Sequence, residues 1–241
     1  MIKIENVVLP STKQWQAVIR GMRNPMNSWD KSDSGWYSIG APGTNPAVAN
    51  DQYLTGKYCL GDNDVNLMKR LVKAGKDHSK FMRMIPVYLD VTAPLYWWKE
   101  ESTYQVGTVT NSCSTMHTIH KKAFTLDDFS KEHLFEEKDG WIEDDKGERW
   151  CSSPLELETM VGILNAYRHH YLKTKDKKYW WAMIQLLPSS YNQRRTIMLN
   201  YEVLENMYKS RKTHKLDEWV EFCKWIETLP YSELITGEFD V

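Results

Sequence analysis

Cysteine is scarce: Cys59, Cys113, Cys151 and Cys223 stand far apart in 241 residues, and none forms a C-x-x-C pair. That spacing indicates neither a zinc site nor a disulfide framework, and reduced thiols are the expectation. No apolar run approaches the length of a membrane span, and the N-terminal segment lacks the charged start and apolar stretch of a signal peptide. A soluble cytoplasmic protein with no membrane partner is expected. Net charge is lacking as well, since 31 Lys and Arg offset 32 Asp and Glu for a pI near 6.7. No global field draws such a chain onto nucleic acid, so an anionic ligand must be held by local groups. Internal repeats and low-complexity segments are also missing.

Tryptophan, by contrast, is abundant at 11 residues, with adjacent pairs at Trp97-Trp98 and Trp180-Trp181. Large amphipathic rings suit cores first and subunit interfaces second. The length fits one domain over residues 1–241. Ile2 to Leu9 reads as a strand, and Ser11 or Thr12 caps a helix with Trp15, Val18, Ile19 and Met22 on its apolar face. From Asn24 to Asp62 the chain is rich in Gly, Pro, Ser, Asn and Asp, a long loop that reads either as a lid or as a surface excursion. A helix capped by Asn63 or Asp64 closes at Gly75. Met82 to Thr92 alternates as a half-buried strand, and Pro86 within it argues for an edge or a bulge.

Ala93 to Gln105 is expected to be helical, followed by a polar stretch, GTVTNSCSTMH. Residues Ser130 to Trp150 hold twelve charged residues and the turn pairs Asp139-Gly140 and Lys146-Gly147, the mark of a solvated hairpin or loop insertion. Ser153 with Glu156 forms a capping box that opens a long helix to Leu172. Further helices are expected over Asp176 to Leu187 and Leu216 to Leu229. The stretch from Ile184 to Arg211 reads as an apolar run, a turn at Leu187-Pro188-Ser189-Ser190, the paired Arg194-Arg195, and then helical periodicity. On that reading Asn200, Leu204, Met207 and Arg211 share a face, with the amide and the guanidinium roughly 16 Å apart.

Leu187-Pro188, Asn200, Asn206 and Arg211 match, without a gap, the pattern L-P…N-x-R-x3-[HN]-x4-R that closes the flavin-dependent thymidylate synthases. This stretch resembles the nucleotide-binding helix of that family, and His78-Ser79-Lys80-Phe81 loosely resembles its G-H-x-S-P-F-E-H junction. Two family arginines are replaced, by Glu202 and Ile184. The diagnostic R-H-R motif falls on Thr103-Tyr104-Gln105, and its downstream serine on Cys113 or Ser114.

The resemblance implies an α+β fold, a small, mostly antiparallel sheet flanked by helices, assembled as a homotetramer. It also implies reductive methylation of dUMP, or a related pyrimidine nucleotide, with FAD as cofactor and NADPH and methylenetetrahydrofolate as co-substrates. In that reading Arg211 is the catalytic group that orients and polarises the pyrimidine. Asn200, Asn206, His78 and Ser79 hold the flavin. Arg211, Arg194, Arg195, Gln105, Ser112 and Ser114 hold the nucleotide, with Thr115 and Lys99 as further candidates for its phosphate.

Two other classes of function stand beside this one: an inactive homologue that binds or sequesters a nucleotide, and an assembly protein reusing the fold. Bland roles compete for the same residues. Arg211 suits a solvated helix cap, Asn200 and Asn206 suit backbone hydrogen bonds, and Lys99-Glu100-Glu101 suits a solvated face ahead of an acid/base group. His117-x-x-His120 has metal spacing but no acidic or Cys neighbour, so no metal is expected.

Overall fold

The structure, a computed structural model of the chain, describes residues 1–38, 56–135, 141–150 and 153–239. Strand β1 (Lys3–Val8) leads to helix α1 (Thr12–Arg23), where Ser11 caps the end in a reciprocal box with Gln14. The long loop is not irregular throughout. It makes two 3₁₀ turns (Asn24–Met26 and Trp29–Lys31) and contributes strands β2 (Gly35–Ser38) and β3 (Gly56–Cys59), which pair antiparallel. The stretch expected to form a lid or excursion falls partly on residues 39–55, outside the described residues.

Helix α2 (Asp62–Lys73) follows and ends, as expected, at Gly75 with φ +99°. Its cap is not local. The Asp33 carboxylate accepts from the Asn63 and Asp64 amides, which frees the Asp64 side chain to turn inward. Strand β4 (Pro86–Pro94) enters α3 (Leu95–Glu101), shorter than the helix expected to reach Gln105. The polar stretch after it forms strand β5 (Val109–Ser112) and the single turn α4 (Thr115–Thr118). The charged segment carries a small hairpin, β6 (Ile142–Glu143) with β7 (Arg149–Trp150); the turn at Asp139-Gly140 lies outside the described residues. Helices α5 (Ser153–Thr174) and α6 (Lys177–Leu186) come next, and the capping box of Ser153 also falls outside the described side chains.

Strand β8 (Asn192–Asn200), helix α7 (Tyr201–Arg211), helix α8 (Asp217–Glu227) and the short α9 (Glu233–Thr236) complete the chain. The architecture is α+β, with an antiparallel sheet in the order β1-β4-β8-β5 flanked by helices. Strand β4 is therefore interior, not an edge. Its Pro86 is tolerated because it opens the strand, opposite Asn200 at the far end of β8.

Alternation sets the two faces of the sheet. Val87, Leu89, Val91 and Ala93 of β4, with Ile197 and Leu199 of β8, are buried against α1, α7, α8 and α9. Asp90 of β4 and Arg194 and Thr196 of β8 lie on the other face, where Asp90 accepts hydrogen bonds from Thr196, Asn6 and Arg194. Those bonds hold its carboxyl well below the usual carboxylate range. Trp97, Trp98 and Trp219 sit in the main core, whereas Trp29, Trp141 and Trp181 are exposed. A second, smaller cluster, around Leu164, Met183 and Phe129, joins α5 and α6 to the segment after α4. Among the described residues no helix is long and apolar enough to cross a membrane.

Candidate functional site at the α3–α7 junction

Helix α3 is anchored at its start and its middle. The Leu95 and Tyr96 amides donate to the carbonyls of Tyr191 and Ser189, and the Trp98 indole donates to the Gln193 carbonyl at 2.8 Å. Its last two residues are both acids, and successive side chains on a helix point about 100° apart. Glu100 and Glu101 therefore meet different surroundings.

Glu100 faces α7 and α8. Its Oε2 accepts from Arg211 Nη1 at 2.7 Å and from the Trp219 indole at 3.2 Å, and His214 Nε2 lies 3.3 Å away. Arg211 also donates through Nε to the Tyr104 hydroxyl at 3.0 Å, and its guanidinium lies 5.0 Å from the centre of the Trp219 ring. With its side chain 18% exposed, Arg211 is neither a solvated cap nor a free cation. It is a guanidinium on an aromatic wall whose charge Glu100 balances.

Glu101 turns the other way and is only 2% exposed. It lines a cavity of about 210 Å³ with Ser102, Tyr104, Gln105, Thr108, Thr110 and Arg195. Arg195 packs 4.3 Å over the Trp98 ring and donates through Nε to Gln193 at 3.0 Å. Burial pushes the Glu101 carboxyl up from its ordinary pKa, with the Arg195 charge pulling only partly back. Burial likewise works against the charge of Arg195. Tyr104 belongs to both halves, since its hydroxyl accepts from Arg211 while the residue lines the cavity.

The expected site residues are thus only partly brought together. Arg211, Arg195 and Gln105 gather around Tyr104. Arg194 lies on the opposite face of the sheet, paired with Asp90 at 2.6 Å, because neighbouring residues of a strand point to opposite sides. Ser112 is exposed on edge strand β5, in register with Arg195. Ser114 caps α4 by accepting from the His117 amide, beside a separate cavity of about 280 Å³ that Cys113 and Tyr191 also line.

Asn200 is not on a helical face with Arg211. It ends β8 and caps α7, its Oδ1 accepting from the Val203 amide and its Nδ2 donating to the Gly107 carbonyl at 3.4 Å. Asn206 accepts from Lys76 Nζ at 2.9 Å. His78 is exposed and Ser79 buried in the turn that leads into the 3₁₀ segment Lys80–Met84. Of Lys99-Glu100-Glu101 only Lys99 is exposed: Glu100 is paired with Arg211, and Glu101 is buried. Thr108 was missed by sequence reasoning, and Glu101 was ranked as part of a solvated face ahead of an acid/base group. The available signal was an acidic pair directly after two buried-type tryptophans, a place where a helix has already committed one face to the core.

This arrangement, two arginines and two acids set around one short helix beside an antiparallel sheet, stands on the fold of the flavin-dependent thymidylate synthases. No family model and no curated protein sequence matches the chain. Thymidylate synthase X from Helicobacter pylori, in a structure with FAD and dUMP, matches over 98% of this chain and 96% of its own at 16% identity, with a TM-score of 0.58. PolB from Streptomyces cacaoi, a UMP/dUMP methylase bound with 5-Br dUMP, matches over 98% of this chain and 95% of its own at 16% identity, with a TM-score of 0.55.

Proposed function

We propose that this chain binds a pyrimidine nucleotide, dUMP or a relative, beside Arg211 and methylates its base with the help of a flavin. The observation that carries this reading is the Arg211 cluster, set in a fold that matches neighbours solved with dUMP or 5-Br dUMP over nearly the whole chain. A guanidinium stacked on Trp219 and balanced by one movable carboxylate is ready to exchange Glu100 for a carbonyl or phosphate oxygen of a ligand. Tyr104 holds the guanidinium in place during that exchange, while His214, whose Nδ1 accepts from the Leu216 amide, turns its Nε2 toward Glu100. Arg195 and Gln105 stand one side chain away, across Tyr104.

The donor set fits a dinucleotide cofactor at one place and fails at another. Lys76, bonded to Asn206, and the exposed imidazole of His78 in the same turn suit the pyrophosphate of FAD. Asn200 does not, because its amide is spent on the α7 cap and on Gly107. When bound, FAD reduced by NADPH supplies the electrons that complete transfer of a one-carbon unit from methylenetetrahydrofolate. Ser112, exposed on β5, and Ser114 are assigned to the phosphate of the nucleotide, with any partner subunit of the tetramer that the resemblance implies completing the site.

One observation favours a second reading, a nucleotide-binding protein without flavin chemistry. Glu202 stands where the resemblance calls for an arginine, and it is held by Arg83 through two bonds of 2.7 and 3.0 Å. An absorbance spectrum of the purified protein with FAD, followed by titration with dUMP, separates the two. A retained flavin band that shifts on adding dUMP is the expected result. A colourless protein whose melting temperature still rises with dUMP selects the second reading, since ligand at a hundred times its dissociation constant adds about 2.7 kcal/mol. A protein that responds to neither ligand overturns both.

A further inference from the structure

Helix α5 is apolar on two sides, and the chain covers only one of them. Leu157 and Leu164 are buried, with Met160, Val161, Tyr167 and Tyr171 packed beside them in the smaller cluster that α6 and the segment after α4 complete. On the opposite side Leu155, Thr159, Gly162, Ala166, His169 and Lys173 recur at alternating steps of four and three, which sets them in one stripe along the helix. All six are exposed. Leu155 is 65% exposed, and Ile163, on the flank of the stripe, 39%. From Thr159 to Tyr167 the helix carries no charged residue. A surface helix ordinarily turns a charged face to water, so one that is apolar all round is built to be covered twice.

The charges name the cover. Glu156 and Glu158 precede the uncharged stretch, and His169, His170 and Lys173 follow it, all of them exposed. At 1.5 Å per residue, Glu158 and Lys173 stand roughly 11 Å to either side of a point midway between Asn165 and Ala166. A second α5 laid antiparallel across that point brings each Glu158 to the partner's Lys173, twice over, and sets the apolar stretch of one copy on that of the other. A parallel pair would set like charges together instead. A twofold, self-complementary contact of this kind is the commonest way for identical chains to associate. Gly162 agrees with it. A Cβ added there would meet no atom within 4 Å, so the fold itself does not call for a residue that costs helix stability, whereas bare backbone lets a second helix come close.

We propose that the outer face of α5 is an interface between two copies of this chain, crossed antiparallel near Ala166, with Glu158 of each copy paired to Lys173 of the other. The face holds no residue of the Arg211 cluster, so the contact stands or falls apart from the nucleotide reading.

Sedimentation equilibrium of the full chain over a range of concentrations tests it. The parent protein is expected to self-associate. Glu158→Lys and Lys173→Glu should each weaken that association by about fivefold or more, because each sets like charges together at both ends of the contact. Combining Glu158→Lys with Lys173→Glu should restore it. The helix dipole predicts the opposite order, with both charges then at the wrong ends, so rescue is specific to pairing between copies. Gly162→Leu should weaken association as well, while far-ultraviolet dichroism shows the helix intact. The proposal is overturned if the parent is monomeric at every concentration, if the single reversals leave association unchanged, or if the double change fails to restore it in a folded protein.

Discussion

Arg23 and Asp64 lie 41 residues apart and meet in the interior, their side chains 4% and 0% exposed, with Nε and Oδ1 2.6 Å apart. Arg23 also donates to the carbonyls of Ser28 and Lys31, and Asp64 accepts from the hydroxyls of Ser32 and Ser34. Removing one partner leaves the other charge buried and unpaired, so Asp64→Asn should cost about 3–5 kcal/mol in a urea titration at neutral pH. Burial alone would raise the Asp64 carboxyl, but hydrogen bonds from Ser34, Ser32 and Arg23, with the Arg23 charge, outweigh it and leave the folded pKa depressed. A depressed carboxyl contributes stability that is present above the unfolded pKa near 3.9 and is lost as pH falls through the folded value. The urea midpoint should therefore fall more steeply on acidification below about pH 4 in the parent protein than in Asp64→Asn. Equal slopes would show that this pair does not control acid sensitivity. At the proposed ligand site, Glu100→Gln removes the charge that competes for Arg211 and should tighten dUMP binding several-fold. Arg211→Ala should weaken it by roughly ten- to a hundredfold, the worth of a charge-assisted hydrogen bond of about 1.5–3 kcal/mol. A dUMP titration indifferent to both changes places the nucleotide elsewhere. Arg211 was singled out by its spacing behind Leu187-Pro188 and Asn206, and the structure sets it among Glu100, Tyr104 and Trp219. Glu100 and Glu101 were not, because an acidic run at a helix end has the same appearance in sequence whether water or an arginine receives it.

Strand β8 is the element that sequence pattern concealed, and its place beside β4 is what positions Arg195. Its buried face runs Gln193, Arg195, Ile197 and Leu199, so the period of two is present but polar at one end. The apolar half joins directly to α7, whose 3.6-residue period extends backward over it and gives a false helical start before Asn200. Where α1, α2, α5 and α8 were read correctly, a cap, a terminal glycine or a clean amphipathic face marked the ends. The joint between β8 and α7 is fixed instead by Asn200, which caps the helix and also reaches Gly107. Asn200→Ala should cost about 0.5–2 kcal/mol, the usual range for loss of a cap. Gly107→Ala should also destabilise, because Gly107 has φ +85° and an added Cβ would stand 2.8 Å from Asn200 Nδ2. The two changes act on one contact, so a double variant measured by urea unfolding should cost less than the sum of the singles. Strict additivity would show that the loop before β5 and the α7 cap are independent.

Among the described residues two apolar clusters form, and they differ in size. The larger spans the core face of the sheet with α1, α7, α8 and α9. The smaller, around Leu164, Met183 and Phe129, seals α5 and α6 against the segment after α4. Tyr191, packed with Phe129 in the smaller cluster, is tied to α3 by the bond from the Leu95 amide to its carbonyl at 3.0 Å, next to the start of β8. We infer that the chain, read as one domain over residues 1–241, unfolds globally as a unit but opens locally at α5–α6 first, since fewer buried side chains oppose that opening. Amide exchange followed by mass spectrometry should show α5 and α6 exchanging well before β4 and β8. Leu164→Ala, which removes a fully buried side chain from the smaller cluster, should cost about 2–5 kcal/mol and widen that gap. Because the Arg211 cluster and the Glu101 cavity are built on α3, α7, α8 and the adjoining β5 and β8, the same substitution should leave ligand titrations nearly unchanged. If Leu164→Ala accelerates exchange in β4 and β8 as much as in α5 and α6, the two clusters form one cooperative core, and the site's rigidity depends on both.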